Sequence, residues 1–311
     1  MSPIWILELV ALSTLVTSTL YTHYRGRDRL KLRRQLADHS TFLAPYNCLM
    51  YLFSGVPPTP ILRVEDFPEL LGLRHHWRII REEALRLYEK GYIRASDRHD
   101  DLGFNSFFRR GWKRFYLKWY GDPLPSAQSL CPQTVDLLRS TPSVRGAMFA
   151  LMPPKSHVGR HRDPFAGSLR YHLGLATPNS DECRIFIDGN PYSWRDGQDV
   201  VFDETYVHHF ENRTEEPRVI LFCDFERPIR NPAVRAVNRW VIDHVLPLTA
   251  TKNVTGEKVG FANRVFDVIY PVRGPLRSFK KSHRRAYYVL KYLTLVATVG
   301  LLLCGSYASF R

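Results

Sequence analysis

Between residues 145 and 227 the apolar positions come in short runs divided by turn-forming pairs. The runs 147–152, 168–175, 183–187, 199–202 and 218–225 read as strands. Pro153-Pro154, Asp188-Gly189-Asn190-Pro191 and Asp196-Gly197 mark turns between them. Several short strands at roughly regular spacing predict a sandwich or jelly roll. Upstream the period changes. Leu70, Leu71, Leu73, Trp77, Ile80, Ala84, Leu87 and Tyr88 recur at helical spacing over 67–90, with Asp66 as a cap and Gly91 as a stop. Residues 106–120 interleave aromatic with basic side chains and predict a half-buried strand whose basic face meets an anionic substrate or a membrane. A further helix is expected over 232–245. The fold class is therefore α+β, a jelly roll with flanking helices.

Both ends carry a different pattern. Residues 4–22 hold a single charge, Glu8, and are followed by Arg25, Arg27, Arg29, Lys31, Arg33 and Arg34. A cleaved leader places its positive charge before the apolar run, so this order predicts an uncleaved anchor. At the other end Arg273, Arg277, Lys280, Lys281, Arg284 and Arg285 precede an apolar stretch interrupted only by Lys291. Five segments follow. An N-terminal transmembrane anchor occupies 1–24, and a basic juxtamembrane segment and linker 25–65. The catalytic domain spans 66–252, with its jelly-roll core at about 106–228. A polar and basic linker takes 253–285, and a transmembrane or interfacial anchor 286–308. Both basic clusters face the central domain, which the positive-inside rule places in the cytoplasm.

Composition sharpens this picture in two places. Forty-four Lys and Arg against 30 Asp and Glu give a net charge of +14 among 311 residues. So basic a chain favours an anionic partner, and the membrane topology accounts for much of the excess without nucleic acid. Cys48, Cys131, Cys183, Cys223 and Cys304 are scattered with no C-x-x-C pair, which argues against a disulfide framework or a structural zinc site.

Candidate chemistry lies on the strand-rich region. In His161-Arg162-Asp163 two metal-capable side chains stand two residues apart, on one face of a strand. His208 follows at a distance that lets a later strand return beside the first. Two imidazoles and a carboxylate suit non-haem Fe(II) with open positions. Ten residues on, Arg218 opens a strand, and its planar fork suits the distal carboxylate of 2-oxoglutarate. His157 and His209 are neighbouring alternatives as ligands. Asp163 precedes Pro164 and could instead shape a turn. Asp203 and Glu204 are expected to cap or orient.

The run 161–175, HRDPFAGSLRYHLGL, together with 202–208, FDETYVH, and 218–224, RVILFCD, resembles the aspartyl/asparaginyl β-hydroxylase family. Segments 38–42, 47–53, 101–108 and 111–120 are similar to its lipid A 2-hydroxylase branch, as is the pair of terminal anchors. The resemblance implies a double-stranded β-helix that uses Fe(II), 2-oxoglutarate and O2. It implies His161 and His208 as metal ligands and Arg218 on the distal carboxylate. Arg170 and His172 match positions that contact the other carboxylate end. Two departures stand out. The animal peptide hydroxylases have glycine where Asp163 stands and serine where Ala150 stands. The implied activity is hydroxylation of carbon 2 of a fatty acyl chain of lipid A, or of its acylated precursors, at the cytoplasmic face of a bacterial inner membrane. The basic tracts would hold the phosphorylated headgroup on an anionic membrane surface. A peptide aspartyl/asparaginyl hydroxylase and a non-catalytic membrane scaffold with a relict jelly roll are the alternatives.

Overall fold

Two-residue periodicity decides the architecture. In the computed structural model, which describes residues 3–287 and 289–290, the strands in chain order are β1 (Ile61–Leu62), β2 (Lys113–Trp119), β3 (Val144–Met152), β4 (Ser156–His161) and β5 (Ser168–Ala176). They continue with β6 (Cys183–Ile187), β7 (Asn190–Ser193), β8 (Asp199–Phe202), β9 (His208–Asn212) and β10 (Arg218–Glu226). A six-stranded sheet runs β1-β8-β5-β10-β3-β2 and a four-stranded sheet β4-β9-β6-β7, with antiparallel pairing throughout. From β3 to β10 the chain passes back and forth between the two sheets, with β6 and β7 as a hairpin within the small one, which is the double-stranded β-helix.

Side chains along β5 and β10 alternate between two environments. Leu169, Tyr171, Leu173 and Leu175 of β5, with Val219, Leu221, Cys223 and Phe225 of β10, join a core with Leu70, Leu73, Ile80, Ala84 and Leu87 from the helical layer. Ile220 and Phe222 point the other way and pack with Trp112, Trp194 and Phe210 beneath the small sheet. Arg170, His172 and Arg218 share that second face. Each fully buried Leu or Phe contributes about 1.5–3 kcal/mol, so a one-residue slip of either strand would exchange much of the core for charge.

The helices start with α1 (Pro3–Tyr24), α2 (Leu32–Gln35), α3 (His39–Phe42) and α4 (Ala44–Leu52). Segment 25–65 is thus folded rather than strung out as a linker, and Ile61–Leu62 adds a short edge strand to the large sheet. Helices α5 (Leu71–His75) and α6 (Trp77–Glu89) replace the single helix expected over 67–90. Asp66 ends a 3-10 turn and caps nothing. Gly91 does stop the helix, in a left-handed conformation at φ 73°. Residues 106–120 also divide: α7 (Asn105–Phe108) precedes β2, because Asp101 accepts the Phe104 N–H at 3.1 Å and closes a turn there. Next come α8 (Pro125–Leu130), α9 (Pro132–Arg139) and α10 (Pro232–His244), the last capped by Asn231. The polar segment after residue 252 is partly ordered too. Asn253 both donates to and accepts from the Tyr116 backbone, at 2.7 and 2.8 Å. From Arg264 a second compact unit begins; it contains the helix Arg273–Ser282.

The N-terminal expectation requires correction. Among the described residues no helix is long and apolar enough to cross a membrane. Helix α1 forms, but Ser13, Thr14, Thr17, Ser18, Thr19 and Thr22 dilute its hydropathy. Ser18, Thr19, Thr22 and His23 are buried, and α1 lies against α3 and α4. Its apolar residues Leu7, Val10, Leu12 and Val16 remain exposed. The C-terminal anchor expected at 286–308 lies almost wholly outside the described residues.

Candidate functional site

Strands β4 and β9 build the first half of the site. They pair with His161 and His208 directly opposite one another. The register shifts between Val158 and His161, so a bulge at Gly159-Arg160 re-aims the His161 ring inward. The two imidazole centroids are 4.2 Å apart. Each ring is fixed by a backbone carbonyl, which can only accept. His161 Nδ1–H donates to Gly159 O at 2.9 Å, and His208 Nδ1–H donates to Tyr206 O at 3.0 Å. Both Nε2 lone pairs are thereby left for the centre.

Asp163 reaches the same point from the loop after β4, where its N–H donates to Glu204 O at 3.0 Å. Its carboxylate lies 3.7 Å from His161 Nε2 and 4.0 Å from His208 Nε2. All three ligand atoms fall within 4.8 Å of one another. Bonds of about 2.1 Å to a first-row metal place neighbouring ligand atoms roughly 3 Å apart, so a small contraction closes the set. Burial, and then the neighbouring His161 ring, push His208 down to about 3, and burial lowers His161 as well. Neutral imidazole is the metal-binding form. Burial alone would raise the Asp163 carboxyl, but Arg170, His208 and His161 hold it well below the usual carboxylate range.

Arg218 supplies the second half. Its side chain is fully buried at the start of β10, and Nε, Nη1 and Nη2 all lack a partner among the described residues. The guanidinium lies 4.3 Å from the Trp194 centroid and 5.1 Å from Trp112, with the Cys183 thiol also near. Burial lowers its pKa to about 10. His172, two residues from Arg170 on β5, is also buried with both ring nitrogens free, packed on Phe222 and Phe202. Burial, then Arg170 and Arg218, push it well below its usual value. A buried guanidinium without an acceptor costs several kcal/mol, and a carboxylate of 2-oxoglutarate would satisfy its fork. The two imidazoles and one carboxylate fit Fe(II), so this donor set and the expected groups agree.

Arg170 departs from its expected place on the cosubstrate. Asp224, its cross-strand partner on β10, accepts from Arg170 Nε at 2.9 Å, and Asp163 and Glu204 take the two terminal nitrogens. Its donors are committed to protein carboxylates, so it is a positioning residue for Asp163. Glu204, expected to cap or orient, lies in this network, and Asp224 joins it without any signal in the sequence. Burial raises both carboxyls, and Ser168 Oγ donates to Glu204 at 2.8 Å and Tyr120 Oη to Asp224 at 3.2 Å. Asp203 orients rather than ligates, pairing with Arg25 and Arg227 at 2.6 and 2.8 Å. Of the alternative histidines, His157 is exposed and His209 stacks on Phe186 at 4.6 Å, outside the cluster. Ala150 lies opposite Ile220 on the neighbouring strand and offers Arg218 no hydroxyl.

The chain is similar in sequence to several proteins named as hydroxylases. The family pattern described as Aspartyl/Asparaginyl beta-hydroxylase matches residues 74–228. An ornithine lipid ester-linked acyl 2-hydroxylase of Rhizobium tropici is 37% identical over 201 residues, covering 62% of this chain and 68% of its own. The aspartyl/asparaginyl beta-hydroxylase of Homo sapiens is 28% identical over 204 residues, which is 62% of this chain but 26% of the human protein. A Pseudomonas putida prolyl-4-hydroxylase structure overlaps 49% of this chain and 86% of its own at 21% identity, with a TM-score of 0.34. With the R. tropici relative aligned over more than two thirds of its length, this chain belongs to the aspartyl/asparaginyl β-hydroxylase family.

Proposed function

We propose that the protein is an Fe(II)- and 2-oxoglutarate-dependent dioxygenase that hydroxylates carbon 2 of a fatty acyl chain of lipid A or its acylated precursors. The observation that carries the dioxygenase reading is Arg218, a buried cation with no acceptor among the described residues, in the same fold as a His-Asp-His cluster. The lipid reading is supported by the R. tropici relative, named for acyl 2-hydroxylation of an ornithine lipid. It is supported also by the exposed apolar face of α1 followed by the basic run from Arg25 to Arg34. The same features favour an inner-membrane location with the catalytic unit on the cytoplasmic side.

Bound iron, with 2-oxoglutarate and O2, supplies the oxidising power for C–H hydroxylation, releasing succinate and CO2. The chain's own contribution is positional. His161, Asp163 and His208 would hold the metal, and Arg170 keeps the Asp163 carboxylate in place. Arg218 clamps the distal carboxylate of the cosubstrate, while Trp112, Trp194 and Phe210 keep water from that charge pair.

Mass spectra of total lipids from cells expressing the wild type and His208→Ala decide the substrate. A lipid A species heavier by one oxygen, present only with the wild type, is expected. The same change confined to an ornithine lipid would move the activity to that lipid class. No lipid change, with hydroxylated aspartyl or asparaginyl peptides instead, would overturn the lipid reading.

A further inference from the structure

A cavity of about 650 Å³ lies away from the metal cluster, between α1, α4 and the loop of residues 54–58. One face of α1 lines it through Thr14, Thr17, Ser18 and Tyr21, at the helical spacing expected of a single stripe, and Arg25 follows just past the helix end. No acidic residue lines it, while Arg25, Arg227 and Arg230 do. Arg25 and Arg227 both give Nη2 to the same oxygen of Asp203, Oδ2. Their side chains are 3% and 2% exposed, so two buried cations share one carboxylate. Arg25 is also held between the Tyr51 and Tyr206 rings at 3.8 and 4.0 Å, and its Nε is buried without a partner. Arg230 stands exposed at the edge.

Three cations against one carboxylate leave two positive charges, and a phosphate monoester carries about −1.5 to −2 near neutral pH. The rest of the wall mixes the hydroxyls of Thr14, Thr17, Ser18 and Ser54 with the apolar Leu52, Val56, Pro57 and Pro58, and α1 also exposes Val10 and Leu12. We infer that this cavity binds the phosphomonoester headgroup of an amphiphile, with its chain along Leu52 and α1. The choice of an amphiphile rests on the lipid reading of the active site; the anion site rests on the arginines alone. Two of these arginines hold Asp203 in the turn 202–207, whose neighbour Glu204 pairs with Arg170.

Calorimetric titration of the full chain in a zwitterionic detergent, with neither iron nor 2-oxoglutarate, tests this using dihexanoyl phosphatidic acid, dihexanoyl phosphatidylcholine and inorganic phosphate. Phosphatidic acid should bind and phosphatidylcholine should not. Arg230→Gln, a surface change, should weaken phosphatidic acid about tenfold, the loss of one charge-assisted contact. Leu52→Ser, also at the surface, should weaken phosphatidic acid and leave inorganic phosphate unchanged. Equal affinity for phosphate and phosphatidic acid, untouched by Leu52→Ser, would overturn the amphiphile. Binding unaffected by Arg230→Gln, or no binding at all, would overturn the site. Because no turnover is measured, either failure leaves the dioxygenase reading standing.

Discussion

The two faces of the six-stranded sheet are built from the same strands and differ in one respect. The helical side is built mainly of apolar side chains, and a carboxylate buried there is satisfied. Glu83, fully buried there, accepts from the Gln133 and Thr134 backbone and the Thr134 hydroxyl at 3.2, 2.8 and 2.5 Å. On the side facing the small sheet, polar groups are buried and left open: Arg218, both nitrogens of His172, and His208 Nε2. Folding alone would not favour such an arrangement, since an unmade buried hydrogen bond costs about 1–3 kcal/mol. The first face holds the domain together. The second has given up stability to be ready for an anion and a metal. Arg170 and Arg218 repeat the contrast within one face, because Arg170 is saturated by three carboxylates and Arg218 by none.

The largest effect should come from the metal ligands. His161→Ala and His208→Ala should each abolish hydroxylation, exceeding the ~10–100-fold losses seen when mere outer-shell partners are removed. Iron content of the purified, folded variants should fall with activity. Stoichiometric iron in either variant would return His157 or His209 to consideration. Asp163→Ala should come close to this, and appreciable turnover in it would show that two histidines suffice.

Asp203 shows how a paired charge behaves on the same side of the molecule. Burial alone would raise its carboxyl, but Arg227 and Arg25 hold it well below the ordinary range. Removing the charge by Asp203→Asn should cost about 3–5 kcal/mol at pH 7, because two buried guanidiniums lose their acceptor. The sign with pH follows from the depressed value. The unfolded chain protonates near pH 3.9 and the folded chain only below that. Stability from this carboxylate is therefore full above about pH 4 and lost as pH falls further. Chemical denaturation at pH 7 and at pH 3 should show the gap between variant and wild type narrowing.

A smaller pair of effects contrasts the two faces directly. Leu221→Ala, on the helical side of β10, should destabilise by about 2–5 kcal/mol. Arg218→Met, three residues earlier on the opposite side, should leave the cosubstrate-free protein as stable or raise its stability by about 1 kcal/mol or more. Equal losses in the denaturation midpoints would mean that Arg218 is structural after all.

Legibility in the sequence followed burial. Strands β3, β5, β6, β8 and β10 lie within a residue or a few of the apolar runs, because core packing requires those residues. Strands β4 and β9 escaped, since Ser156-His157-Val158-Gly159-Arg160-His161 and His208-His209-Phe210-Glu211-Asn212 carry almost no hydrophobic signal. Yet they hold the two histidines; the spacing that marked His161, Asp163 and His208 assumed a strand through 161–163 and a later one at His208, whereas β4 ends at His161 and Asp163 lies in the loop beyond it. Helices α2 to α4 were unreadable for a related reason: α2 and α3 are four residues each, too short for a period to show. Glu204 is expected to cap or orient, but its partner Arg170 and the third member Asp224 were hidden, because they meet only through the β5–β10 register and the turn after β8. No local pattern announces such a contact.

The account turns on Arg218 meeting the cosubstrate, and anaerobic titration of 2-oxoglutarate into the Fe(II)-loaded protein tests that most directly. Arg218→Lys keeps the charge but loses the fork, and should bind 2-oxoglutarate about tenfold or more weakly at unchanged iron content. Arg218→Met should show no saturation at practical concentrations. Wild-type affinity in Arg218→Met would contradict the assignment and leave the buried guanidinium without the partner proposed for it.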